Sequence, residues 1–148
     1  MTSGVPQDGN FTRLVAPINT HEEIDRVLKL KTWAILGLSN NPDRAAYSVA
    51  ALLKQKGHTI IPVHPKAETV HGEKGYATLE EIPVKVDVVD FFINSELVGR
   101  NVDRAIAIGA KAIWLQLGVI DQESVQRAVQ AGLTAIMDRC PAIEYGNR

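Results

Sequence analysis

Two short stretches hold the residues whose types and spacing suggest chemistry. The first is GLSNNPDR, Gly37 to Arg44, between the apolar TWAIL and the helical pattern AAYSVAALLKQKG. Backbone amides in the first turn of a helix lack internal partners, and with the helix dipole they attract an anion. Gly37 permits a turn and a close approach, and Ser39 and Asn40 carry hydrogen-bond donors. Pro42 suits a first turn, where no amide donor is required. Arg44 can fork onto a phosphate. The plainer reading is a polar turn between strand and helix, with Arg44 in solvent.

The second stretch is Val63-His64-Pro65-Lys66, at the end of the next apolar run, Thr59 to Val63. Chains that bind NAD place a carboxylate here, about 20 positions beyond their glycines, to hold the ribose diol. This chain has a lysine instead, and Pro65 restricts the backbone that presents it. A cation at that place suits a further phosphate on the ribose, as in NADP or coenzyme A. Lys66 also fits an ordinary surface lysine.

Other reactive residues are sparse. Cys140, in MDRCP, reads most simply as a small residue packed under a loop. Its sharper reading is a thiol near the ligand, with a pKa that a close Arg139 would lower. His21, His58, His64 and His71 lack paired ligand spacing, so no zinc site is expected. Asp90, among valines, reads as a buried carboxylate bonded to the backbone rather than a general base. Trp33 and Trp114 read as packing residues, and no Ser-His-Asp set assembles.

These residues need a scaffold, and apolar runs alternating with helical patterns supply one. Thr20-His21-Glu22-Glu23 has capping-box spacing and opens a helix to about Leu30. Strands are expected at Trp33 to Gly37, Thr59 to Val63, Val86 to Ile93, Ala112 to Leu115 and Leu133 to Met137. Ala46, Val49, Ala50 and Leu53 recur with helical spacing before Gly57. Thr78-Leu79-Glu80-Glu81 has a second capping-box spacing, and Asn94 or Ser95, then Asp121, are candidate caps for two later helices. The pattern predicts an α/β chain: one Rossmann-like, doubly wound domain with a five-stranded parallel sheet, helices on both faces and an N-terminal helix. The simplest strand order is 3-2-1-4-5, with the ligand at the switch beside strand 1. Residues 1–19 are expected to form a loosely held arm, and residues 20–148 the domain.

Composition narrows the partners. The chain has 148 residues, 45% hydrophobic and 22% charged, which suits one globular domain. A formal net charge of −1 provides no global basic field, so neither nucleic acid nor a membrane surface is an expected partner. Any anion site must be local. A single cysteine fits a reducing compartment. No apolar run approaches the ~20 residues of a membrane span. The polar start MTSGVPQDGN lacks the features of a signal peptide, and a cytoplasmic location is expected.

GLSNNPDRAAYSVA, IIPVHPK, HGEKGYATLEEIP, VDVVDFF, IWLQLGV and MDRCP, taken in order, resemble the small stand-alone CoA-binding proteins. These are similar in turn to the CoA-binding domain of succinyl-CoA synthetase and of ADP-forming acyl-CoA synthetases. The resemblance spans about Thr20 to Tyr145. It implies that Gly37, Ser39 and Arg44 line the diphosphate region, with Ser48 reaching in from the helix. It implies that Val63, His64, Pro65 and Lys66 surround the adenosine and its 3′-phosphate. Phe92 and Ile93 would pack beside the adenine or pantetheine, and Gln116 and Gly118 would lie towards the thiol end.

The ligases carry a phosphohistidine domain and nucleotide-grasp segments, for which a chain closing at Arg148 leaves no room. The expectation is therefore a protein that binds coenzyme A or a short acyl-CoA as a carrier, sensor or partner domain, and not as a catalyst on its own. The alternatives are a small NADP-binding oxidoreductase or redox sensor, and a CoA-dependent transferase that uses Cys140.

Overall fold

The structure, a computed structural model, describes residues 17–148. Residues 1–16, most of the expected arm, lie outside the described residues. Asn19 is joined to the sheet side of the molecule: its amide nitrogen donates to Met137 O at 2.8 Å, and its oxygen accepts from Met137 N at 2.9 Å.

Helix α1, His21–Leu28, starts at the expected capping box. Thr20 Oγ1 accepts from Glu23 N at 3.1 Å, and the Glu23 carboxylate accepts from Thr20 N at 3.4 Å. Ile24, Val27 and Leu28 are its buried face. Five strands follow, all parallel: β1 Thr32–Leu36, β2 Thr59–Val63, β3 Val88–Phe91, β4 Ala112–Leu115 and β5 Thr134–Ile136.

Their order is β2-β1-β3-β4-β5, which corrects the expected 3-2-1-4-5. The chain after β2 crosses β1 and lays β3 on its far side, instead of continuing outward. Pro62 supplies a physical reason. It has no N–H to give a ladder, a defect tolerated at an edge but not in a central strand. The observed order puts β2 at the edge, whereas the expected one would have buried it. β3 suits an interior place, since Val88, Val89, Asp90 and Phe91 are all fully buried. The switch point stays beside β1, but its second neighbour is now β3.

Alternating strand residues feed two cores. Trp33, Ile35, Val88 and Trp114 pack under α1, α2 (Ala45–Gln55) and α5 (Pro141–Gly146). Leu36, Val89, Phe91 and Leu115 pack under α3 (Val98–Ala107) and α4 (Gln122–Gln130). Asp121 caps α4 as expected, accepting from Ser124 N at 3.0 Å. The second capping box does not form. Thr78 makes no cap bond, and the segment closes as a single 3-10 turn, Leu79–Glu81, with the Glu81 carboxylate accepting from Ala77 N at 3.2 Å. Neither Asn94 nor Ser95 caps α3, because a 3-10 turn, Ser95–Leu97, intervenes. Ser95 Oγ instead accepts from Ile120 N at 3.1 Å. Among the described residues no helix is long and apolar enough to cross a membrane.

Candidate functional site

A cleft of about 830 Å³ opens over the carboxyl ends of the strands. It spans both faces of the sheet. The α2–α5 side contributes Gly37, Arg44, Phe92, Gln116 and Cys140. The α3 side contributes Val63, His64, Pro65 and Ile93, together with residues of α3 itself. Ser39, Ser48, Lys66 and Gly118 lie outside this wall. The Ser48 hydroxyl donates to Ala45 O, in its own helix, at 3.3 Å. Lys66 is exposed. Gly118 N donates to Asp138 Oδ1 at 2.7 Å.

The wall contains three arginines, Arg44, Arg100 and Arg104, and no carboxylate. In a chain of net charge −1 this is a concentrated positive locus. Arg44 is the N-cap residue of α2, and no side chain caps that helix. Arg44 thus lies on the cleft wall at the start of a helix whose first-turn amides have no side-chain acceptor, although Tyr47 N donates to Arg44 O at 3.0 Å. Part of the preceding loop is already engaged: Asn40 N donates to Glu68 Oε1 and Asp43 N to Asn41 Oδ1, each at 3.0 Å. Arg104 shares its charge with Glu80 at 3.5 Å. Arg44 and Arg100 have no ion-pair partner among the described residues.

His64 is fixed by the turn it begins. Its Nδ1 accepts from Lys66 N at 3.1 Å, which leaves the proton of the neutral ring on Nε2. The lysine thus enters the site's architecture through its backbone.

At the other end Gln116, 3% exposed, donates its amide nitrogen to Asp90 Oδ1. Asp90 is fully buried, and its Oδ2 has no partner among the described residues. Burial pushes its carboxyl up to about 8, against the opposing effect of the Gln116 bond. Cys140 is half-buried. The Arg139 guanidinium donates to Asp138 O at 2.9 Å.

Sequence reasoning missed the contribution of α3. Leu97, Arg100, Asn101 and Arg104 all line the cleft, and they follow one helical stripe at i, i+3, i+4 and i+7. The same spacing that marks a buried face also marks a functional one, but attention to apolar residues passes over it. Ile143, in the short α5, was missed with its helix.

Comparison with known proteins places the chain in a family. The family described as "CoA binding domain" matches residues 31–146. The chain is 34% identical over 124 residues to the uncharacterized protein YneT of Bacillus subtilis, covering 83% of this chain and 92% of that one. It is 31% identical over 81 residues to the alpha subunit of an ADP-forming acetate–CoA ligase of Pyrococcus furiosus, covering 54% of this chain but 18% of that subunit. A solved structure of a hypothetical protein from Pyrococcus horikoshii superposes with a TM-score of 0.82 at 36% identity, covering 87% of this chain and 92% of that one.

Proposed function

The chain belongs to the CoA binding domain family, and on that premise we propose that its cleft binds coenzyme A or a short acyl-CoA and that the protein acts as a carrier or sensor of it. The observation that carries the reading is the cleft wall, with three arginines, no carboxylate and apolar stretches between them. Coenzyme A has matching chemistry: two phosphate-bearing regions, an aromatic base and a slender, weakly polar arm.

The residues support a division of labour. Arg44 and the first turn of α2 favour the diphosphate, by charge and by helix dipole. Val63, Pro65 and Ile93 offer apolar surface to the adenine, and His64 Nε2–H offers it a donor. Gln116 and Cys140 belong with the arm and its thiol.

A thermal-shift panel tests the proposal with CoA, acetyl-CoA, dephospho-CoA, NADH and NADPH. A ligand that binds only the native state raises the melting temperature by mass action. CoA or acetyl-CoA is expected to do so. Stabilisation by NADPH without stabilisation by CoA would replace the proposal with an NADP-binding one.

A further inference from the structure

We propose that Arg100 and Arg104 of α3 form the subsite for the ribose 3′-phosphate of the bound CoA. This rests on the CoA reading above and assigns the phosphomonoester to a helix that the loop motifs did not point to.

The orientation of α3 carries the argument. Its Gly99 and Asp103 face α4: Arg127 Nη2 donates to Gly99 O at 3.1 Å, and Arg127 Nε donates to Asp103 Oδ1 at 3.2 Å. Arg100 and Arg104, one residue further along the helix in each case, line the cleft instead. Across from them runs the chain that leaves β2. His64 N donates to Tyr76 O at 3.0 Å, and Tyr76 N to Pro62 O at 2.9 Å, so residues 76–81 start at the β2 exit. They include Glu80, whose carboxylate meets Arg104 at 3.5 Å. The arginine stripe therefore faces the wall made by Val63, His64, Pro65 and Ala77. A ribose lying against that wall would direct its phosphate to α3.

Charge supports the same assignment. A phosphomonoester carries roughly −1.5 to −2 charges near neutral pH, more than one guanidinium neutralises. Arg100 has no ion-pair partner among the described residues, and Arg104 has an exposed one that a phosphate can share or displace. Asn101, between them on the cleft wall, donates one amide hydrogen to Leu97 O at 3.0 Å and keeps a second hydrogen to offer. Arg44 stands apart on α2, across the strand ends. The cleft thus has two separate cationic loci for the two phosphate regions of CoA. Lys66, exposed and outside the wall, contributes its backbone to the His64 turn.

The test is calorimetric titration of CoA and dephospho-CoA into the wild-type protein, Arg100→Gln, Arg104→Gln and Lys66→Gln. Arg104→Gln is also made together with Glu80→Gln, so that no carboxylate is left facing the site. Circular dichroism and melting temperature establish that each variant is folded. Arg100→Lys keeps charge without the fork and is expected to lie between wild type and Arg100→Gln. Each arginine variant is expected to lose about tenfold or more in CoA affinity, with dephospho-CoA changed by less than about threefold. Lys66→Gln is expected to leave both nearly unchanged. Equal losses for the two ligands, or a preference for CoA that disappears in Lys66→Gln alone, would overturn the assignment while leaving CoA binding intact. A wild-type protein that binds neither ligand would overturn the CoA reading, and this assignment with it.

Discussion

The carbonyl of Phe92 occupies the space that a side chain on Gly37 would need. A Cβ built on Gly37 would fall 2.1 Å from Phe92 O. Gly37 also has φ of 87° and donates its amide to Val63 O at 2.8 Å. One residue therefore knits together the exits of β1, β2 and β3, where the cleft begins. The glycine is required by the neighbouring strand, whatever the cleft holds.

Gly37→Ala is accordingly expected to destabilise the fold by at least about 3 kcal/mol, combining left-handed strain with overpacking against rigid backbone. Gly132→Ala is the matched control. It has φ of 95° and nothing within 4 Å of the added Cβ, so strain alone should cost about 1–2 kcal/mol. Urea unfolding of both variants checks the difference. Equal losses would mean that the Phe92 carbonyl can yield.

The elements that position Gly37 were legible in the sequence, but their arrangement was less so. Strand identities follow from apolar runs, and the cap at Thr20 follows from side-chain types, because both are local. Strand order is set by which edges can be buried, a non-local matter. Its local trace was Pro62, a missing donor inside an otherwise apolar strand. Helix α5 has six residues, too few to show a period. Gly37, Arg44, His64 and Pro65 could be read from the sequence as residues near the strand exits because their types suit turns and anions, and they line the cleft, whereas Ser39 and Lys66, of equally suitable type, do not. Arg100 and Arg104 were not, since charged residues on a helix ordinarily face solvent. Only the packing of Gly99 and Asp103 against α4 turns them inward.

Asp90 predicts a pH dependence. An unfolded aspartate titrates at about 3.9, while burial holds the native one up to about 8. Between those values the native state keeps a proton that the unfolded state has lost. The contribution of Asp90 to stability is therefore complete below about pH 4, declines as pH rises, and is lost above about pH 8. Asp90→Asn cannot ionise, and it keeps an oxygen for the Gln116 amide. Denaturant unfolding at pH 5, 7 and 9 should show the wild type losing stability relative to the variant as pH rises. Parallel profiles would mean that Asp90 does not titrate in this interval.

Cys140 reports on occupancy of the cleft. It is the only cysteine in the chain, and it lies on the cleft wall, half-buried. Bound acetyl-CoA, whose sulfur is acylated and does not consume the reagent, is expected to slow its modification by a thiol reagent. The concentration giving half of that protection should match the dissociation constant of acetyl-CoA from calorimetry. An unchanged rate at saturating acetyl-CoA would place the ligand away from the Cys140 wall.

Arg44 and the α3 arginines should be separable by ligand. Arg44 caps the approach to α2 and faces the cleft without an ion-pair partner among the described residues. The diphosphate it is suited to hold is present in both CoA and dephospho-CoA. Arg44→Gln is thus expected to weaken both ligands alike, by about tenfold, the scale of one charge-assisted hydrogen bond. Raising salt should lessen the effect where the arginine is solvent-accessible. Titrations of the two ligands at low and moderate ionic strength measure this directly. A loss confined to CoA would instead put the 3′-phosphate at α2, exchanging the roles of the two cationic loci.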